Sequence, residues 1–161
     1  QFIQAEAASR LGLIQALGAY MLRLEHRQMY RSNGLIDDFV LYGEPSDYLS
    51  FAKKIGAALH SREAETLSTE SPIQIEISIN EESQVLWTAL ENEGNFYPSI
   101  DAWNTRDILR VAGNPAVLEE LRGFLVDLSG RARGYSYISE FSQDSSYSVD
   151  SPEWRLHVQG P

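Results

Sequence analysis

Three histidines, four carboxylate pairs and two strand-to-helix turns are the places where residue type and spacing could support chemistry in this chain. His26, His60 and His157 lie 34 and 97 residues apart, which matches no metal-ligand spacing. His60 falls near a predicted helix C-terminus, where positive charge is welcome, and His157 falls in a strand on the face opposite Trp154 and Leu156. Each is expected to be structural, although a dispersed triad would meet only in space. The carboxylate pairs are Asp37/Asp38, Glu81/Glu82, Glu91/Glu93 and Glu119/Glu120. Acid–base catalysis needs one member of a pair desolvated so that its pKa rises. All four pairs are expected in turns or at element ends, where water keeps them ordinary. Gly43-Glu44-Pro45 and Gly113-Asn114-Pro115 could seat a phosphate on a helix N-terminus, but Glu44 and Asp47 would repel it, and turn geometry is the simpler reading. No phosphate-binding loop, nucleophile elbow or dinucleotide fingerprint occurs. The expectation is a protein without catalytic residues, metal or cofactor, and not an enzyme.

One constellation stands out. Glu81, Glu82, Glu91, Glu93 and Asp101 flank a hairpin and loop that carry Trp87, Phe96, Tyr97 and Trp103. Aromatic side chains anchor protein interfaces and charges steer the encounter, so these nine residues are the candidate partner-binding set. The plain alternative makes Trp87 and Trp103 core residues and the acids merely solubilising.

Net charge supports the first reading. The 161 residues carry a formal charge of −10, concentrated in residues 37–120, where 16 acids face 5 bases. Such a chain will not hold nucleic acid by counterion release, but it will attract a basic partner. There is no cysteine, so disulfides and thiolate zinc sites are excluded, and a reducing, cytoplasmic setting is compatible. The most apolar stretch, Leu11–Leu22, is too short for a bilayer, which takes about 20 residues, and no small-residue cleavage site follows it. No membrane partner is expected.

The elements that must hold these residues follow from a faint internal repeat. Asp107–Ser129 reads as an apolar run, Gly-Asn-Pro and an amphipathic helix; Asp37–Leu59, 70 residues earlier, repeats the plan. Asp37, Gly43 and Pro45 match Asp107, Gly113 and Pro115, and Phe39, Leu41, Phe51 and Ile55 match Leu109, Val111, Leu121 and Leu125. Repeats constrain architecture more than local motifs do. Strands are expected at Asp38–Gly43, Ile73–Ile79, Val85–Leu90, Ile108–Ala112, Gly134–Phe141 and Trp154–Val158, and helices over 45–60 and 115–129. Ser61–Ser71 and Ser142–Pro152 read as loops. The connection Glu91–Arg106 is long for a compact domain and therefore a candidate for function. Before the repeats, Ile3, Ala7, Ile14, Leu17, Met21 and Leu24 recur at helical steps, which predicts one long helix from residue 2 to about 29, closed by Ser32-Asn33-Gly34. That helix either packs on the sheet or forms a homodimer seam.

The expected fold is α+β in a single domain over residues 1–161: an N-terminal helical segment (1–34), a first βαββ repeat (37–90) and a second (107–158). A right-handed crossover in each copy would make its flanking strands parallel, with an antiparallel hairpin after it. The copies are expected to join edge to edge in one mixed sheet, because separate small sheets leave open edges.

The order strand, Gly-Asn-Pro, helix with Leu118, Leu121 and Leu125, then a serine-rich hairpin ending in Glu153-Trp154-Arg155-Leu156-His157-Val158, resembles bacterial immunity proteins of polymorphic toxin systems, including contact-dependent growth inhibition. The resemblance spans Asp107–Val158. It implies a small non-enzymatic cytoplasmic protein that binds one cognate toxin domain, with a basic nuclease as the expected target, and it transfers no functional residues. The alternative is a small-molecule-binding regulatory module built from fused βαββ units.

Overall fold

Alternation and glycine placement decide the strands and where they stop. Ile75 and Ile77 point one way and Gln74, Glu76 and Ser78 the other, so one face of their strand is buried and the other wet. At Gly43 an added Cβ would come within 2.6 Å of Leu22 Cδ2 and 3.1 Å of Asp47 Cβ, so a larger residue there would displace the side chains packed where strand passes into helix. The computed structural model describes residues 21–31, 34–91, 107–131, 133–138 and 153–159.

Among the described residues the chain forms strands β1 (Arg23–Arg31) and β2 (Gly34–Gly43), helix α1 (Pro45–Ser61), strands β3 (Glu65–Leu67), β4 (Gln74–Ile79), β5 (Trp87–Glu91) and β6 (Ile108–Gly113), helix α2 (Pro115–Ser129), and strands β7 (Gly134–Tyr137) and β8 (Glu153–Val158). The class is α+β, but there are two four-stranded mixed sheets instead of one: sheet A in the order β1-β2-β8-β7 and sheet B in the order β3-β4-β6-β5. The parallel pairs are β2 with β8 and β4 with β6; the remaining neighbours are antiparallel. The expected parallel pair across α1 does not form, because β2 and β4 lie in different sheets. The expected hairpin of Ile73–Ile79 with Val85–Leu90 does not form either, since β6 sits between β4 and β5.

The two sheets use matching registers. Gly43 pairs with Val158 and Gly113 with Ile79, and Tyr42 pairs with Arg23 as Ala112 does with Trp87. Each sheet therefore combines the hairpin that precedes one helix, or its counterpart, with the strands that follow the other helix. Open edges do not forbid this, because the sheets share one core. A single apolar cluster joins Phe39, Leu41, Trp154 and Leu156 of sheet A, Ile75, Ile77, Leu109 and Val111 of sheet B, and the buried stripes of both helices. Tyr48 of α1 donates its hydroxyl hydrogen bond to the carbonyl of His157 in β8, and burial raises its pKa. Ser71, just before β4, both accepts from the Leu24 amide at 3.0 Å and donates to the Leu24 carbonyl at 2.7 Å, so the outer edge of β1 is partly covered by the segment leading into sheet B.

The predicted N-terminal helix is corrected where it is described. Arg23–Arg31 is a strand paired antiparallel with β2 as far as Arg31 opposite Gly34, leaving two residues to connect them. The helical spacing of Met21 and Leu24 was fortuitous: Leu22 and Leu24, two apart, are the buried pair. Residues 1–20 of that helix, and with them most of the homodimer seam, lie outside the described residues. A third strand hides in the loop Ser61–Ser71, at Glu65–Leu67, too short to show a period. Asp37 and Asp38, expected in a turn, lie within β2. No helix among the described residues is long and apolar enough to cross a membrane.

Candidate functional site

The acidic turn after β4 is built from short-range hydrogen bonds and tied to the start of α2. The Asn80 side chain accepts from the Glu82 amide at 3.2 Å, the Ser83 amide donates to the Asn80 carbonyl at 3.0 Å, and the Asn114 amide donates to the Ser83 carbonyl at 2.9 Å. Asn114 is itself the N-cap of α2, accepting from the Val117 amide at 2.9 Å. Glu81 and Glu82 are thus presented on an ordered turn, both exposed. Glu81 meets Arg62, which stands in the left-handed conformation (φ 64°) after α1, in an ion pair that is largely solvated and so adds little stability.

Trp87 opens β5 at the same end of sheet B, since it pairs with Ala112, next to Gly113. It is 39% exposed, which removes the reading of Trp87 as a core residue. β5 is an edge strand of sheet B, with β6 as its one strand neighbour among the described residues. An exposed indole on an edge strand, at the sheet end that also carries two exposed carboxylates, suits a protein contact.

Glu91 is not part of this group. It shares the outward face with Trp87 but sits at the other end of β5, roughly 13 Å away at strand rise. There Arg110 bridges it at 3.0 Å and also pairs with Glu76. Glu93, Phe96, Tyr97, Asp101 and Trp103 lie outside the described residues. Of the nine candidate residues, then, Glu81, Glu82 and Trp87 lie at one end of sheet B, and Glu91, which shares Arg110 with Glu76, lies at the other.

The outward face of sheet A carries a different set, which sequence reasoning passed over. Arg23, Tyr42, His157 and Tyr135 are register partners on four successive strands. The Arg23 guanidinium lies 4.5 Å from the centre of the Tyr42 ring; Tyr42 stacks on His157 at 5.1 Å, and His157 on Tyr135 at 5.4 Å. The alternation of Tyr135 with Ser136 and Tyr137, and of Arg155 with Leu156 and His157, was the available signal. It could be assembled only once Arg23 was known to be in a strand.

A groove of about 840 Å³ runs between the two helices, with Leu49, Ala52, Leu59 and Val126 along it and Lys53, His60, Glu119 and Arg122 at its polar margins. Glu119 lies just past the first turn of α2 and pairs with Arg122, which lowers the pKa of its carboxyl. Asp47, at the start of α1, is buried beneath Gly43 and accepts from the Glu44 amide at 2.8 Å. Burial raises its pKa to about 6, opposed by that hydrogen bond. With Glu44 and Asp47 there, the α1 N-terminus is not an anion site, as the sequence suggested.

Among the described residues no three acids or histidines gather as metal ligands. His60 is exposed in the last turn of α1, His157 is stacked in sheet A, and the side chain of His26 lies outside the described residues. No protein-family model, curated protein or solved structure matches this chain.

Proposed function

We propose that this chain is a binding protein of the immunity type, which acts in the bacterial cytoplasm by occupying a basic toxin domain, with a nuclease as the expected target. It needs no catalytic residue or cofactor for this, because blocking a cleft requires only affinity. The observation that carries the reading is Trp87, exposed on the edge strand β5 at the end of sheet B that also carries the acidic turn of Glu81 and Glu82. An aromatic anchor supplies affinity and the surrounding negative charge speeds encounter with a cationic surface. The scaffold that we propose is a duplicated unit whose two copies exchange strands, which the matching registers of the two sheets support.

The test is capture of partners on the tagged full chain from its native cell, in parallel with Trp87→Ala and the pair Glu81→Lys/Glu82→Lys. The reading requires one basic protein retained by the parent chain and lost by both variants, with association slowing as salt rises. Identical capture by all three proteins would remove this surface from consideration.

The inter-helix groove favours a second reading, a small-molecule-binding module, because it combines apolar walls with charged margins between the two helices. A Cβ at Gly56 would meet Arg122 Cδ at 3.8 Å, an ordinary contact, so Gly56→Leu would project into the groove and obstruct it. A metabolite that raises the melting temperature of the parent chain and not of Gly56→Leu would establish this reading over the first.

A further inference from the structure

The outward face of sheet A is opposite in character to the acidic end of sheet B. Its first row is Arg23, Tyr42, His157 and Tyr135, and its second includes Val40, Arg155 and Tyr137. Tyr135 is 54% and Tyr137 37% exposed, and the two rings meet edge to face at 5.8 Å. Arg155 lies 5.8 Å from the Tyr135 ring centre, and Arg133 is exposed beside Gly134 at the start of β7. Two recesses flank the row, about 170 Å³ next to Arg23 and about 400 Å³ between Arg133, Tyr135 and His157. Glu25, opposite Val40, and Glu70 at the smaller recess are acids there, and the register pair Asp38 and Glu153 forms the next row.

We infer that this face, along edge strand β7, binds an extended acidic segment of another protein, with Arg133 and Arg155 receiving its carboxylates and Tyr135 and Tyr137 its apolar side chains. Charge complementarity selects the occupant. None of Arg23, Arg133 and Arg155 is ion-paired among the described residues, whereas the arginine of the sheet B face, Arg110, is held by two glutamates. A guanidinium resting on an aromatic ring keeps its N–H edge available for a carboxylate. Stacked bases of a single-stranded nucleic acid are disfavoured by the same geometry. They need open ring faces, and those of Tyr42 and His157 are already in contact with Arg23 and with one another or Tyr135. Among the described residues β8 is the one strand neighbour of β7, so an extended segment can lie beside it and direct alternate side chains over this face.

The experiment is fluorescence anisotropy on the full chain with three labelled probes: a decapeptide of alternating glutamate and valine, its lysine counterpart, and a ten-nucleotide oligothymidylate. Saturable binding of the glutamate peptide is expected, weakened about tenfold or more by Arg133→Glu/Arg155→Glu and unaffected by Glu81→Lys/Glu82→Lys, which separates this face from the acidic one. Arg133→Glu alone, at an exposed site, keeps the test valid if the double variant fails to fold, and should still weaken binding severalfold. Absence of saturable binding, equal binding of the lysine peptide, or preference for the oligonucleotide would each overturn the inference. So would self-association of the parent chain that Arg133→Glu abolishes, since a second copy would then be the occupant.

Discussion

Sheets A and B share a hydrogen-bonding frame and present opposite outward faces. Where sheet A sets Arg23, Tyr42 and His157 side by side, sheet B sets Trp87, Ala112 and Ser78 in the matching register. One row further, sheet A has Val40 beside Arg155, and sheet B has Arg110 beside Glu76. The inward rows differ much less: Leu41 and Leu156 in one sheet, Val111 and Ile77 in the other, all fully buried. The difference teaches which positions the fold constrains. Inward side chains must fill a shared core at close packing, whereas outward ones answer to solvent and to partners. A framework used twice can therefore carry a cationic aromatic face on one side and an acidic edge on the other.

The comparison breaks if the two sheets do not share one folding unit, and this test has the largest expected effect. Trp154 stacks on Phe51 of α1 and meets Phe39 edge to face, so Trp154→Ala should cost about 3–5 kcal/mol. Ile75→Ala, its counterpart in sheet B, should cost about 2–5 kcal/mol. Both should lower a single cooperative transition in urea; separate transitions for the two sheets would show that the core is not continuous.

The helix starts sharpen the comparison next. α1 begins over the buried Asp47, whose pKa is raised to about 6 from 3.8, so the folded protein binds that proton more tightly than the unfolded chain does. Stability contributed at this site therefore rises as pH falls from above 7 through 6, and levels off below about 4. Asp47→Asn, which keeps an acceptor for the Glu44 amide, should be more stable than the parent at pH 8 by up to about 3 kcal/mol, the gap closing by pH 4. Paired denaturation curves at the two pH values measure it, and a pH-independent gap would contradict the buried ionisable carboxyl. α2 begins instead with the uncharged cap Asn114, so Asn114→Ala should cost about 1 kcal/mol at either pH.

The smallest effect concerns the two outward arginines. Arg110→Met removes two half-buried ion pairs and should cost up to about 1 kcal/mol, less at high salt. Arg155→Met removes none, so its stability should respond less to salt. Equal salt dependence in the two variants would mean that the faces are electrostatically alike.

Much of this was legible in the chain. The strand–glycine–proline–helix plan recurring after 70 residues located β2, α1, β6 and α2, because apolar period and backbone breakers are local properties. Gln74–Ile79 was readable from alternation alone. β1 was misread because its polar and basic residues show no clear alternation and follow a stretch with helical spacing; its state depends on pairing with β2. At the candidate site, Glu81, Glu82 and Trp87 are near enough in sequence for one turn and one strand to bring them together. Glu91 was wrongly grouped with them, because its partner Arg110 reaches it only through the β5–β6 pairing.

Local sequence determined the types of most elements, β1 and β3 excepted, with the inward stripes and the excess of negative charge, since each follows from neighbouring residues and their solvation. Tertiary structure alone decided that β2 joins β8, that β4 joins β6, and that Arg23, Tyr42, His157 and Tyr135 form one row. Strand pairing is a long-range choice: any free edge of matching pattern can satisfy the backbone, and burial of the common core selects among them.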